Sequence, residues 1–177
     1  MTTNVDFEEN GQKASGALGT PPGEAKAGSV LVFHEWWGLN DHMRSIVDKL
    51  ASAGFVTLGL DLYDGKTTKD ADEAQTLMSS LDWPGAMARA KAAVAYLAKH
   101  PRSNGKVAAM GFCMGGALTF AATTVIPELV AAVPFYGVPD KKPEEFAGVK
   151  TPILTHVATR DYWVKLPAVE AIRDSVN

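Results

Sequence analysis

The feature that most restricts the fold is an uncharged stretch from residue 107 to residue 127, long enough to cross a bilayer. Its first four residues, Val-Ala-Ala-Met, are typical of a short buried strand. Residues 117–122 are instead typical of a buried helix, which Pro127 would end. Because Gly111, Gly115 and Gly116 lie between these two patterns, we predict a strand, a glycine turn and a core helix rather than a membrane span.

Strand and helix patterns alternate along the whole chain. Apolar runs predict strands at 30–33, 55–60, 107–110, 129–136 and 153–157, and three-four spacing predicts helices at 41–53, 71–80, 84–99, from 114 and from 167. Residues 5–18, interrupted by Asn10-Gly11, predict a hairpin. This order favours the α/β class, with a mostly parallel sheet and helices on both faces.

Composition excludes several function classes. A length of 177 residues fits one domain, 1–177, and a formal net charge of −3 without basic clusters argues against nucleic-acid and membrane partners. Cys113 is the single cysteine, so a disulfide framework within the chain and a multi-cysteine zinc site are excluded. The first twenty residues show no secretory signal, and we expect a cytoplasmic protein.

Three predicted strands carry unusual residues at their carboxyl ends, where ligands bind in open α/β sheets. These are His-Glu-Trp-Trp-Gly at 34–38, Gly-Phe-Cys-Met-Gly at 111–115 and Arg-Asp at 160–161. The second has the glycine spacing of a nucleophile elbow, with Cys113 at the amino end of a helix. It predicts a nucleophilic thiol, although a lone cysteine in an apolar segment is also a common small core residue.

The chain resembles the dienelactone hydrolase family, also called carboxymethylenebutenolidases, from Val30 to Val176 and more weakly through the hairpin. The resemblance is carried by the segments 34–40 (His-Glu-Trp-Trp-Gly-Leu-Asn), 61–63 (Asp-Leu-Tyr), 103–107 (Ser-Asn-Gly-Lys-Val), 111–116 (Gly-Phe-Cys-Met-Gly-Gly) and 136–138 (Tyr-Gly-Val). It implies an α/β-hydrolase fold without a lid domain. It also implies a Cys-His-Asp triad that opens lactones through an acyl-enzyme.

The resemblance also implies roles for individual residues: Cys113 as nucleophile, Asp161 as the triad acid, Glu35 as the group that controls the thiol proton, Trp36 and Met114 as backbone donors to the oxyanion, and Trp37 and Tyr136 as pocket residues. Structural alternatives stay open for three of these. Asp161 can simply cap its own loop, Glu35 can be an exposed acid, and one of the two tryptophans can belong to the core.

The sequence departs from the family pattern at the histidine of the triad. The elbow order requires a histidine after the acid, but the four histidines, His34, His42, His100 and His156, all precede Asp161. The resemblance therefore predicts a domain that is incomplete at its C-terminus and lacks the last strand, the histidine and the closing helix. His156 is an alternative base, although packing in or beside the core is the simpler explanation for it. His34 and His42 lack the i, i+4 spacing of a zinc pair, so we predict no metal site.

Together these features predict a hydrolase of small lactones or esters that needs no cofactor and acts through an acyl-cysteine. In the family, arginines hold the dienelactone carboxylate, whereas residues 66–73 contain none and Lys69 is a weak stand-in, so a broader substrate range is expected. Two alternatives stay open, a catalytically silent binding protein and an acyltransferase. The only expected partner is a small molecule, and we expect a monomer unless the uncovered sheet edge associates.

Overall fold

The computed structural model describes residues 2–176. Within this range the strands are β1 (Thr3–Glu9), β2 (Gln12–Gly19), β3 (Ala27–Phe33), β4 (Val56–Leu60), β5 (Ser103–Phe112) and β6 (Leu129–Phe135). The helices are α1 (Asp41–Ser52), α2 (Ala71–Ser79), α3 (Trp83–Lys99), α4 (Met114–Val125) and α5 (Leu166–Val176), with one short 3-10 turn at Pro143–Phe146. The predicted α/β alternation is confirmed, including the hairpin that turns at Asn10-Gly11.

One mixed sheet runs in the order β1-β2-β4-β3-β5-β6. The four strands β4, β3, β5 and β6 are parallel, whereas β1 and β2 form the antiparallel hairpin at one edge. The carboxyl ends of β3, β5 and β6 therefore lie side by side, which brings together segments that are distant in sequence.

Helices cover both faces of the sheet, as predicted. On β3, Leu31 and Phe33 pack in a core with α3 and α4, while Val30 and Val32 face α1 on the other side. A third apolar cluster joins Phe120 of α4 to α5 and the 3-10 turn. This alternation is the period-two pattern of a strand buried on both faces.

The uncharged stretch at 107–127 forms most of β5 and all of α4. Helix α4 is buried along almost its whole length, from Met114 to Thr123, which explains the lack of charged residues. The prediction of a strand, a turn and a core helix is thus confirmed. In residues 2–176 no helix has the length and apolar character needed to cross a membrane.

The predicted strand at 153–157 is only partly correct. Residues 152–156 run beside β6 and make four backbone hydrogen bonds with residues 132–136, each 2.8–3.0 Å long. Pro134 has no N–H, so the bond that would reach the Leu154 carbonyl is lost and the pairing is reduced to two isolated bridges. A proline in β6 therefore weakens this edge of the sheet.

Candidate active site

Cys113 lies in the tight turn between β5 and α4. Its backbone has φ 54° and ψ −116°, a strained combination for a residue with a side chain. Its N–H donates to the Phe135 carbonyl at 3.0 Å, and its own carbonyl accepts from Ala117 N–H at 3.1 Å. These bonds fix the turn between two neighbouring strand ends and the first turn of α4.

Three glycines allow this turn because there is no room for a Cβ at their positions. A Cβ on Gly111 would overlap the Gly115 carbonyl, and one on Gly115 would overlap the carbonyls of Phe33 and His34. A Cβ on Gly137 would overlap the carbonyl of Cys113 itself. The glycines therefore hold the start of α4 against the carboxyl ends of β3 and β6.

The Cys113 thiol is only partly exposed. Burial raises the pKa of the thiol, the Met114 N–H lowers it, and the carboxylates of Glu35 and Asp161 raise it further. Since the net direction is upward from an ordinary value of 9.0, the resting side chain is the protonated thiol near neutral pH. Glu35 and Asp161 therefore both lie near enough to the sulfur to disfavour its negative charge.

Glu35 is held by a hydrogen bond from Tyr136. The Tyr136 hydroxyl donates to Glu35 Oε1 at 3.1 Å, and Tyr136 itself has φ 37°, a positive value that is uncommon for a tyrosine. Burial, and then the Glu35 carboxylate, raises the pKa of Tyr136 to about 12. Tyr136 thus stays a neutral hydrogen-bond donor. Glu35 is hydrogen-bonded within the site and is not an isolated charge on the surface.

The two tryptophans after β3 are half-buried and pack edge to face on each other at 4.9 Å. The Trp37 carbonyl accepts from Thr68 N–H at 3.1 Å, which holds the loop after β4 beside the pair. Neither tryptophan is a fully buried core residue. Met114, by contrast, is buried, and its backbone N–H interacts with the Cys113 sulfur.

Tyr63 is a neighbour of the thiol that sequence reasoning did not single out. It is buried, and its hydroxyl donates to Met114 Sδ at 3.3 Å. Burial, and then the nearby Cys113, raises the pKa of Tyr63 to about 12. Its position after a buried strand was the available signal, because carboxyl ends of parallel strands meet at one edge.

Asp161 stands on the loop after residues 152–156. Its Oδ1 accepts from both Trp163 N–H at 2.8 Å and Val164 N–H at 2.9 Å, and these bonds, that of Val164 first, lower the pKa of the carboxyl group. The capping role that the sequence left open is therefore present. Since both bonds meet one oxygen, Oδ2 is left for another partner.

His156 precedes this loop. Its backbone pairs with β6, and its exposed ring stacks on Phe135 at 4.3 Å between centroids. It lies beside the sheet edge rather than in the core. Residues 2–176 contain no cluster of three or more His, Cys, Asp or Glu side chains suited to hold a metal ion.

Comparison with known proteins agrees with this geometry. The family model described as "Dienelactone hydrolase family" matches residues 15–177. The carboxymethylenebutenolidase of Pseudomonas putida is 30% identical, over 98% of this chain and 78% of its own length. "Protein usf" of Aquifex pyrophilus is 36% identical, over 93% of this chain and 74% of its own length. The crystal structure of a dienelactone hydrolase-like promiscuous phosphotriesterase from metagenomic libraries has a TM-score of 0.84 at 28% identity, covering 99% of this chain and 75% of that one.

The sheet order, the strained turn after β5 and these likenesses define an α/β-hydrolase, an enzyme of the lactone and ester hydrolase class. The chain belongs to the dienelactone hydrolase family. It spans about three quarters of the length of the relatives it matches.

Proposed function

We propose that the chain opens small lactones or esters through an acyl-cysteine formed on Cys113. The observation that carries this proposal is the strained turn, which holds a lone thiol at the amino end of α4 beside the carboxyl ends of β3 and β6. The free N–H groups at a helix start favour a negative charge there. A cysteine that served only as packing would not need a backbone with positive φ.

The chemistry follows from this placement. The Cys113 sulfur attacks the carbonyl carbon, its proton passes to a base, and the carbonyl oxygen becomes an oxyanion between the N–H groups of Trp36 and Met114. The C–O bond of the lactone or ester then breaks, and the leaving oxygen takes up a proton. Water attacks the acyl-cysteine, which releases the carboxylic acid and restores the thiol.

Proton transfer is the demanding step, because the thiol rests in its neutral form. Glu35 is the carboxylate with the larger effect on the thiol, and its second oxygen, Oε2, is not the one bonded to Tyr136, so it is suited to accept the thiol proton. Hydrolysis of the acyl-cysteine calls for a histidine oriented by Asp161. Residues 162–177 contain no histidine, so the base for this second step is the open element of the proposal.

The substrate range is proposed to be broader than dienelactone. Lys69 is an exposed cation on the loop that Thr68 ties to Trp37, but a single ammonium group lacks the two-pronged geometry of arginine. Tyr136 interacts with the thiol, and Trp37 packs on Trp36. We propose that Trp37 and Tyr136 line a pocket for small uncharged acyl groups. We propose that residues 1–177 belong to a single α/β-hydrolase domain. We further propose that the protein acts in the cytoplasm as a monomer, unless the uncovered sheet edge associates.

The test is hydrolysis of a dienelactone and of p-nitrophenyl acetate, followed by intact-protein mass spectrometry. Sustained turnover that Cys113→Ala abolishes supports both the nucleophile and a base within the chain. A single acylation that stalls supports the nucleophile alone. No acylation of the wild-type chain contradicts the proposal and favours a silent binding protein, whereas ester exchange onto an added alcohol or thiol favours an acyltransferase. Cys113→Ser is the matched control, because it keeps the turn and changes only the attacking atom.

A further inference from the structure

His34 is a fully buried histidine that the mechanism above does not use. It follows the last residue of β3 and immediately precedes Glu35. Its Nδ1 lies 2.6 Å from the Glu35 carbonyl oxygen, and its Nε2 lies 3.2 Å from the Leu62 backbone nitrogen. One side chain therefore joins the loop after β3 to the loop after β4.

These two partners determine which nitrogen of His34 carries the proton. A carbonyl oxygen can only accept, so Nδ1 must donate, and a backbone N–H can only donate, so Nε2 must accept. The ring is thus the neutral tautomer protonated on Nδ1. Complete burial lowers the pKa of His34, which agrees with a ring that stays neutral near pH 7.

The Glu35 carbonyl belongs to the same peptide unit as the Trp36 N–H. This peptide unit is planar and trans, so its C=O and N–H point in opposite directions and turn together. In residues 2–176 the Trp36 N–H donates to no protein acceptor. The Glu35 oxygen accepts from His34 Nδ1–H at 2.6 Å and from Gly38 N–H at 3.2 Å, and the shorter of these bonds is that of His34. Because they fix the Glu35 oxygen, these bonds also fix the direction of the Trp36 donor.

A second set of contacts keeps this peptide next to the nucleophile. The carbonyls of Phe33 and His34 lie so close to Gly115 that no Cβ fits between them. The start of α4, with Cys113 and Met114, is thus pressed against the end of β3. On the other side, the His34 ring packs against Tyr63, with 4.8 Å between centroids.

We infer that His34 is a positioning residue whose Nδ1–H bond to the Glu35 carbonyl aims the Trp36 N–H at the oxyanion formed during attack by Cys113. The inference rests on the proposed function, since it requires an oxyanion at that position. Preorganised donors act without a reorganisation cost when charge develops. A histidine held between two backbone groups supplies such preorganisation without touching the substrate.

Two variants separate the two bonds of His34. In His34→Asn the amide nitrogen can occupy the place of Nδ1 and still donate to the Glu35 carbonyl. In His34→Gln the longer side chain can place an amide oxygen near Nε2 and still accept from Leu62. The Nδ1–H bond to the Glu35 carbonyl is lost, whereas the longer bond from Gly38 N–H to the same carbonyl, at 3.2 Å, is kept. The two variants thus place an amide side chain at the same buried position. They differ in whether the side-chain bond to the Glu35 carbonyl is kept.

Two rates for Cys113 are compared in each variant: acylation by p-nitrophenyl acetate in a single turnover and alkylation by iodoacetamide. Acylation forms an oxyanion and alkylation does not, so only the first depends on the Trp36 donor. We expect His34→Gln to slow acylation by roughly 10- to 100-fold with alkylation little changed, and His34→Asn to slow it much less. Equal losses in both variants, parallel losses in both rates, or wild-type acylation in His34→Gln would overturn the inference.

The outcomes also separate this inference from the proposed function. If the wild-type chain is alkylated but never acylated, the proposed function fails and the inference fails with it. If the wild-type chain is acylated and His34→Gln behaves the same, only the inference fails. Should both variants unfold, nitrogen-15 NMR of the wild-type chain decides: a ring protonated on Nδ1 and coupled to the Glu35 carbonyl supports the inference, and a ring protonated on Nε2 overturns it.

Discussion

Cys113, the proposed nucleophile, and Asp161, the proposed triad acid, are held in very different ways. Cys113 lies between β5 and a helix that is buried along almost its whole length, and backbone from three strands surrounds its turn so closely that glycines are required. Asp161 lies on a loop after an interrupted edge pairing, next to Tyr162 and Trp163, which are 84% and 89% exposed. We call these the nucleophile side (residues 111–116 and 33–36) and the acid side (residues 152–164).

The difference shows which part of the site the fold holds in a fixed backbone conformation. The backbone of the nucleophile side is over-determined by packing, so the positive φ of Cys113 persists in spite of its strain. The acid side depends on four edge hydrogen bonds and on the cap that Asp161 gives to its own loop. Local opening should therefore begin at the acid side and leave the nucleophile turn intact.

The largest effect is expected from Gly115→Ala. The added methyl group would overlap two backbone carbonyls, which cannot move aside like a flexible side chain, so we expect a loss of about 3 kcal/mol in the free energy of unfolding. Urea unfolding measures this loss. Gly28→Ala on β3, the strand whose carboxyl end contacts Gly115, is the control, because its methyl group would meet only the Phe55 ring at 3.7 Å or more. Equal losses in the two variants would contradict the close packing of the nucleophile side.

A pH effect of intermediate size is expected from the buried histidine of the nucleophile side. The pKa of His34 is lowered from 6.5 in the folded state. Below about pH 6.5 this histidine is therefore protonated in the unfolded chain while it is still neutral in the folded chain. The free energy of unfolding should thus be fully retained above pH 6.5. It should fall as the pH drops toward the lowered value, by up to about 1.4 kcal/mol per pH unit, and level off below it.

Urea unfolding from pH 8 to pH 5 measures this fall. His34→Gln should flatten the curve. His100→Gln is the control, since burial also lowers the pKa of His100 but that side chain is only partly buried, and a smaller part of the fall should disappear. A curve for His34→Gln with the wild-type slope would show that His34 does not stay neutral in the folded chain.

Much of the nucleophile side follows from sequence because its determinants are local. The apolar run, the spaced glycines and the uncharged helix of residues 107–127 together predict β5, the turn at Cys113 and α4. The contribution of Tyr63 is not local. It reaches the thiol only because β4 and β5 flank β3 in the sheet, an order that spacing alone does not reveal.

The structure of the acid side is less predictable from sequence because a proline in the neighbouring strand interrupts its pairing with the sheet. Residues 153–157 have the composition of a strand, but the partner strand carries Pro134, and the missing N–H interrupts the pairing. The inward direction of His34 was equally hidden. A histidine at a strand end is equally compatible with exposure or burial until the positions of Glu35 and Leu62 are known.

The two sides can be compared directly through the thiol that they share. The Glu35 and Asp161 carboxylates both raise the pKa of Cys113, and Glu35 has the larger effect. Both Glu35→Gln and Asp161→Asn should therefore move the midpoint of iodoacetamide alkylation to lower pH, and the first should move it further. The pH profile of the alkylation rate measures both. A midpoint that moves upward would show that the carboxylates do not raise the pKa of Cys113. A midpoint that moves only in Asp161→Asn would show that the acid side, and not Glu35, controls the thiol.

The smallest effect is expected where Asp161 acts only as a cap. Its Oδ1 accepts two N–H groups, so Asp161→Asn keeps an acceptor oxygen and Asp161→Ala removes it. We expect a small loss in the midpoint temperature of unfolding for the alanine variant and almost none for the asparagine variant, and both losses should be well below that of Gly115→Ala. A loss in Asp161→Asn as large as the loss in Asp161→Ala would contradict the capping role, because asparagine keeps the acceptor oxygen.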